Sequence, residues 1–315
     1  MLNAVVYAAF PVFALILTGW LCGRFKLLNA PSMEGLNKFV IYLALPAQLF
    51  EAMAHASVTE IMRPGFFAAY ALGMLGTTLL FTWLTRRSGL PVTDQLINGM
   101  TATYSNSGFM GIPLCLIVFG PSGLAPAIIA TFLTVSVLFA ATIVLIELKQ
   151  LRQGSLGPAL RNVLWSMLRN PLLVAPIAGV CWSATGWGMT APLERYVSLM
   201  GLAAAPCALI AIGLFLALNP VRGVDQAMLQ IVALKLLVQP ALTALLVLFV
   251  FDIPKIWAYV AILCAALPVG TGPFMMAQIY ARDASASARA IMLSTLGSVI
   301  TISALLAWIS LNLTT

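Results

Sequence analysis

Two stretches of this chain combine polar side chains with helix-breaking residues in apolar surroundings. They are Tyr104-Ser-Asn-Ser-Gly-Phe-Met-Gly-Ile-Pro113 and Leu267-Pro-Val-Gly-Thr-Gly-Pro-Phe274. Glycine weakens a helix, and proline removes a donor and crowds the preceding turn, so both stretches read as interruptions of helices. In hydrocarbon, the freed backbone groups must find partners or line a cavity. Helix ends created there offer N–H groups and positive dipole ends, which is chemistry suited to an anion. The candidate binding set is Asn106, Ser107, Gly108, Gly111 and Pro113 from the first stretch, and Gly270, Thr271, Gly272 and Pro273 from the second. The competing explanation is mundane: Gly and Pro are common in membrane helices, where they permit kinks and close packing. Two interruptions at corresponding positions of two chain halves favour a solute site.

Lys235 belongs to the same candidate set. Counted from Gln226, at about 1.5 Å per residue, it lies about 14 Å into a core of about 30 Å. An ammonium at that depth must face the protein interior or a wet cavity. It could pair with an anionic substrate or lose its proton in response to one. Equally, it could snorkel to the interface or cap carbonyls of a broken helix. Gln239-Pro240 follows one turn later, and Gln48, beside Pro46, is a weaker candidate for lining a cavity.

The elements that must hold these residues follow from composition. Of 315 residues, 62% are hydrophobic and 8% charged, against roughly a quarter charged in a soluble chain. That leaves too little polar surface for a water-soluble globule. Spans need about 20 apolar residues, and ten stretches qualify: 4–22, 35–54, 65–85, 95–119, 122–147, 170–187, 195–218, 226–250, 255–280 and 287–311. The connector 148–169 carries basic and apolar residues in the pattern of a short interfacial helix.

Loops after the odd-numbered spans hold 12 of the 16 basic residues, and loops after the even-numbered spans hold Arg63, Arg195 and Lys255. The positive-inside rule then places the odd loops in the cytoplasm and both termini outside. The net charge of +7 is therefore explained by membrane orientation, and nucleic acid is not an expected partner. The five cysteines lie singly in apolar runs and form no metal framework. His55 reads as a polar loop residue. No nucleotide-binding or hydrolytic motif is present, which argues against an enzyme or an ATP-driven pump.

A constant shift of 160 lays one half over the other: Pro11 on Pro171, Pro46 on Pro206, Pro113 on Pro273, Glu34 on Glu194 and Gly19 on Gly179. Five spans is an odd number, so the second half would enter from the opposite side. This is an inverted repeat of 1–154 and 155–315, forming one membrane unit.

The sequence resembles a bacterial member of the auxin efflux carrier family. The resemblance is carried by Leu36-Asn-Lys-Phe-Val-Ile-Tyr-Leu-Ala-Leu-Pro46, Asn106-Ser-Gly-Phe-Met-Gly-Ile-Pro-Leu114, Arg169-Asn-Pro-Leu-Leu173, Lys235-Leu-Leu-Val-Gln-Pro240 and Leu267-Pro-Val-Gly-Thr-Gly-Pro273. It implies an all-α fold of ten transmembrane helices, an inverted 5+5 repeat whose interrupted helices cross at their prolines. Bile-acid symporters and sodium/proton antiporters share this plan. It also implies organic-anion substrates: auxin in plants, malonate or other carboxylates in bacteria. The long loop of plant carriers between the fifth and sixth spans is missing here, which weakens the case for auxin itself.

The expectation is therefore a secondary transporter of small organic anions, exporting by alternating access, as a multi-pass protein of the bacterial cytoplasmic membrane. It needs no cofactor, and H+ or Na+ stands open as a coupling ion. Lipid and the anion are the expected partners, with a homodimer as a further option. The rivals are a sodium-coupled bile-acid-type symporter, a channel, and a membrane-embedded enzyme acting on lipid-linked substrates. The last would need converging carboxylates or a His/Ser pair, which the sequence does not offer.

Overall fold

The computed structural model describes residues 2–55, 63–150, 165, 169, 171–218, 223 and 225–313. These residues are overwhelmingly helical. In chain order the helices are α1 (Leu2–Arg24), α2 (30–55), α3 (Pro64–Thr85), α4 (Val92–Thr101), α5 (107–119), α6 (124–150), α7 (Pro171–Thr185), α8 (Ala191–Leu202), α9 (Ala204–Leu218), α10 (Gln226–Val250), α11 (Lys255–Ala266), α12 (Gly272–Ile279) and α13 (Ser285–Leu313). Five helical runs are long and apolar enough to cross a bilayer: Pro64–Thr85, Ser107–Lys149, Ala191–Leu218, Gln226–Val250 and Ser285–Asn312. Shorter apolar helices accompany them, among them Lys255–Ala266. The fourth and fifth expected spans are continuous in this count, but Gly120 divides them with a φ of 62°. The expected interfacial helix and the boundary at residue 154 fall almost wholly outside the described residues. From that connector, the Arg169 guanidinium lies 4.5 Å from the Trp165 ring centroid.

The surface is apolar, as lipid exposure demands. Phe249 is 83% exposed and Ile300 76%, a cost no water-soluble protein repeats over dozens of large side chains. The interior holds the polar exceptions. Thr77, Thr101, Thr103 and Thr134 are fully buried, and each hydroxyl donates to the carbonyl four residues earlier.

Prolines shape three helices in the same way. π-helical turns at Val40–Ala44, Ser107–Gly111 and Leu234–Val238 each end two residues before Pro46, Pro113 and Pro240. Proline offers no N–H and crowds the carbonyl four residues back, and a widened turn relieves both problems.

α1 packs along α9, and α2 along α7. Both crossings are backbone on backbone. A Cβ on Gly19 would stand 2.1 Å from the Ile210 carbonyl oxygen, and one on Gly179 2.6 Å from the Phe50 carbonyl oxygen. Beside this panel, α3–α6 and α10–α13 surround a core in which Phe66 meets Trp257 edge-on at 5.2 Å and stacks on Tyr70 at 6.2 Å. One end of that bundle is tied by polar contacts. Arg282 forms a two-pronged ion pair with Asp94, Tyr280 donates to Glu147 at 2.8 Å, and Arg289 lies 3.8 Å from Asp225.

Candidate functional site

α4 stops at Thr101 and the helix resumes at Ser107; α11 stops at Ala266 and resumes at Gly272. Between the ends, the two segments meet antiparallel, bridged at Ser105 and Val269. The Asn106 N–H donates to the Pro268 carbonyl at 2.8 Å, and the Gly270 N–H donates to the Tyr104 carbonyl at 3.0 Å. The two breaks thus satisfy each other's freed backbone groups, which the apolar surroundings could not do.

Two side chains complete that accounting. The Ser294 hydroxyl of α13 accepts from the Val269 N–H at 2.9 Å. Lys235, fully buried, donates its ammonium to the Ala265 carbonyl at 2.6 Å. That carbonyl belongs to the last turn of α11, where an intrahelical donor is lacking and a positive charge is favoured. Of the roles open to Lys235, this geometry is the capping one.

Glycine makes the close approach feasible. A Cβ on Gly272 would stand 2.3 Å from Cζ of Tyr104, and one on Gly270 3.0 Å from its ring. The buried Tyr104 ring therefore packs directly against the restart of α12. α5 and α12 both begin at the crossing, so their first N–H groups and positive dipole ends converge there.

The structure gathers most of the predicted set. Asn106, Ser107, Gly108, Gly111 and Pro113 are buried or nearly so at the start of α5; Gly270, Gly272 and Pro273 are buried beside them, and Thr271 is exposed. Hydrogen-bonding capacity is left over. Among the described residues the buried Oγ atom of Ser107 has no partner, and neither does either polar atom of Gln239 or Oγ1 of Thr243. Buried groups of this kind are normally satisfied. Lys235, Gln239 and Thr243 recur every four residues on one buried face of α10. Opposite them, Tyr70 and Thr134 hydroxyls lie 3.4 Å apart.

Sequence reasoning did not single out Tyr104, Ser294, Tyr70 or Thr134. Tyr104 adjoins the break and was within reach. The others are ordinary residues of apolar helices, and only the three-dimensional packing brings them in. Among the described residues no three His, Cys, Asp or Glu side chains come together as a metal site. Cys115 and Cys264 approach to 3.9 Å between sulfurs and are both free thiols.

A concavity opens between the panel and the bundle at the end that carries the Gly120–Gly123 turn. It is a cleft of about 530 Å³ lined by Gln48, Glu51 and His55 of α2, Ser198 and Leu202 of α8, Leu116, Ser122 and Leu124 around the turn, and Arg63 and Trp257. His55 pairs with Glu194 at 3.3 Å on its rim.

Lipid-compatible helices with two mutually paired breaks define a multi-pass membrane transport protein. The family model described as "Membrane transport protein" matches residues 4–306, and the chain belongs to this family, that of the auxin efflux carriers. It is 31% identical over 302 residues to a "Putative malonate transporter" of Rhizobium meliloti, covering 94% of this chain and 93% of the relative. A transporter of Methanocaldococcus jannaschii is 26% identical over 313 residues, covering 96% and 97%. A "Probable auxin efflux carrier component 1b" of Oryza sativa is 32% identical over 120 residues, 36% of this chain and 22% of the relative. The chain is a transport protein, not an enzyme.

Proposed function

We propose that this protein exports small organic anions of the malonate class across the bacterial cytoplasmic membrane by alternating access. The observation that carries the reading is the paired break. The antiparallel bridge brings Asn106 and Thr271, and the starts of α5 and α12, to one place in the protein. Two positive helix ends and unpartnered hydroxyls suit a carboxylate. The 31% identical relative carries malonate in its name, which supports the substrate class.

The inverted 5+5 repeat has support of its own. The contact of Gly19 with Ile210 and that of Gly179 with Phe50 exchange under the shift of 160 that the sequence revealed. The α1–α9 crossing maps onto the α7–α2 crossing in the same way. In this reading α1, α2 and α7–α9 form the static panel and α3–α6 with α10–α13 the rocking bundle. Both termini lie on the periplasmic side.

Proteoliposome counterflow of labelled malonate tests the proposal. Wild type is expected to exchange malonate saturably, and Asn106→Ala to slow exchange at least tenfold at an unchanged thermal midpoint. Exchange by Asn106→Ala at the wild-type rate would remove the crossing from the mechanism. A rate that rises only with an imposed sodium gradient would favour a sodium-coupled symporter instead.

A further inference from the structure

We infer that Arg63 forms a second carboxylate-binding site, an access subsite in the cleft between panel and bundle, separate from the crossing. Arg63 is one of three basic residues in the loops the charge pattern places outside, where Lys and Arg are sparse. Its guanidinium carbon stands 5.1 Å from the Trp257 ring centroid. Trp257 is itself fixed edge-on against buried Phe66. Stacking of this kind holds the planar fork still before a ligand arrives.

Among the described residues the charge of Arg63 is unanswered. No described carboxylate lies within ion-pair distance, although Glu51 lines the same cleft and Glu194 is engaged by His55. Arg63 Nε is buried without an acceptor, and the half-buried side chain lines the cleft with a guanidinium that carries paired terminal N–H groups. That pair of N–H groups matches the two oxygens of a carboxylate. Around it, the cleft of about 530 Å³ has apolar walls at Ala52, Leu116 and Leu202. It also has uncharged donors in Gln48 and Ser198, and the Gln48 Oε1 atom is buried and unpartnered. The fit is to a small organic acid of a few carbons, with one carboxylate on Arg63 and a polar group toward Gln48. Sulfate or chloride would leave the apolar walls bare.

This subsite takes only its ligand class from the transport reading, and one experiment separates the two. Equilibrium dialysis of labelled malonate uses purified wild type, Arg63→Gln, Asn106→Ala and the double variant. Thermal midpoints are measured alongside. Arg63→Lys keeps the charge without the fork and serves if the Gln variant fails to fold. Wild type is expected to show two binding components. Asn106→Ala should retain the weaker one, and Arg63→Gln should weaken that component at least tenfold, with Arg63→Lys recovering little of it. Identical binding by wild type and Arg63→Gln overturns the subsite and leaves the crossing intact. Loss of all binding in Asn106→Ala also overturns it. Loss of all binding in Arg63→Gln, with none lost in Asn106→Ala, keeps the subsite and sinks the crossing. Displacement of malonate from Asn106→Ala by short-chain phosphatidylglycerol identifies a lipid-headgroup site and overturns the carboxylate assignment. No binding by any protein overturns both.

Discussion

Gly272→Ala probes the crossing because two effects pull its stability in opposite directions. Alanine is the better helix former, by about 1 kcal/mol in a helix interior. If the start of α12 had room, the variant would be more stable. The structure leaves none. The new Cβ would lie 2.3 Å from Cζ of Tyr104 and 2.7 Å from its hydroxyl oxygen. Carbon atoms settle at about 3.5 Å or more, so the shortfall is about 1.2 Å. Tyr104 is 7% exposed and cannot swing away freely. Overpacking of this kind costs about 1–3 kcal/mol, which outweighs the propensity gain. The expected result is a thermal midpoint in detergent lowered by several degrees, with malonate exchange slowed because both breaks must shift. The sign should reverse when the ring is removed: in a Tyr104→Ala background, Gly272→Ala should be neutral or stabilising. A raised midpoint in the wild-type background would refute the argument. So would an equal loss with and without the ring.

Other variants test other contacts. Lys235→Ala removes the only described side-chain donor to the Ala265 carbonyl and a fully buried stem, and should cost about 2–5 kcal/mol. Lys235→Met should recover the packing but not the carbonyl's partner, and equal stability of Lys235→Ala and wild type in thermal unfolding would show the cap to be idle. Gly213→Ala places a Cβ 1.8 Å from the Ile16 carbonyl oxygen, a backbone atom that cannot step aside; the variant should fail to accumulate in membranes, as immunoblotting would show. Asp283 accepts from the N–H and hydroxyl of Ser285 at the start of α13, and these bonds hold its carboxyl below the usual range. A depressed folded pKa stabilises above the unfolded value, near pH 4, and the gain fades as pH falls through the lower folded value. Asp283→Asn should therefore melt slightly below wild type at pH 7, and the gap should narrow as pH falls through the lowered folded pKa.

The sequence disclosed whatever depends on chain-local chemistry. The breaks at Tyr104–Pro113 and Leu267–Phe274 were visible because Gly and Pro are costly in a helix wherever they stand. Lys235 stood out because an ammonium in an apolar run is rare. Its partner was hidden, since Ala265 carries no signal in its side chain; the signal is a carbonyl orphaned by a break one residue further on. Ser294, Tyr70 and Trp257 were hidden for a related reason. Their side chains are unremarkable in apolar helices and matter only through what lies opposite them. The π-helical turns before Pro46, Pro113 and Pro240 follow from proline sterics, but sequence alone does not say whether a helix will widen, kink or stop. At Pro46 and Pro240 it widens and continues.

On the proposed transport route, the bridge at Ser105 and Val269 also determines how a solute meets the membrane voltage. α4 has 10 residues and α11 has 12, so at about 1.5 Å per residue each half-helix covers about half of a 30 Å core. If the proposed inverted repeat holds, the crossing stands at mid-field, a thin septum with a half-helix leading to it from either face. Each unit charge carried from one face to the other exchanges about 2.3 kcal/mol with the membrane per 100 mV. For a doubly charged malonate that doubles. An inside-negative potential would expel the dianion with no companion ion, whereas uptake of the same molecule would require co-moving cations to cancel its charge.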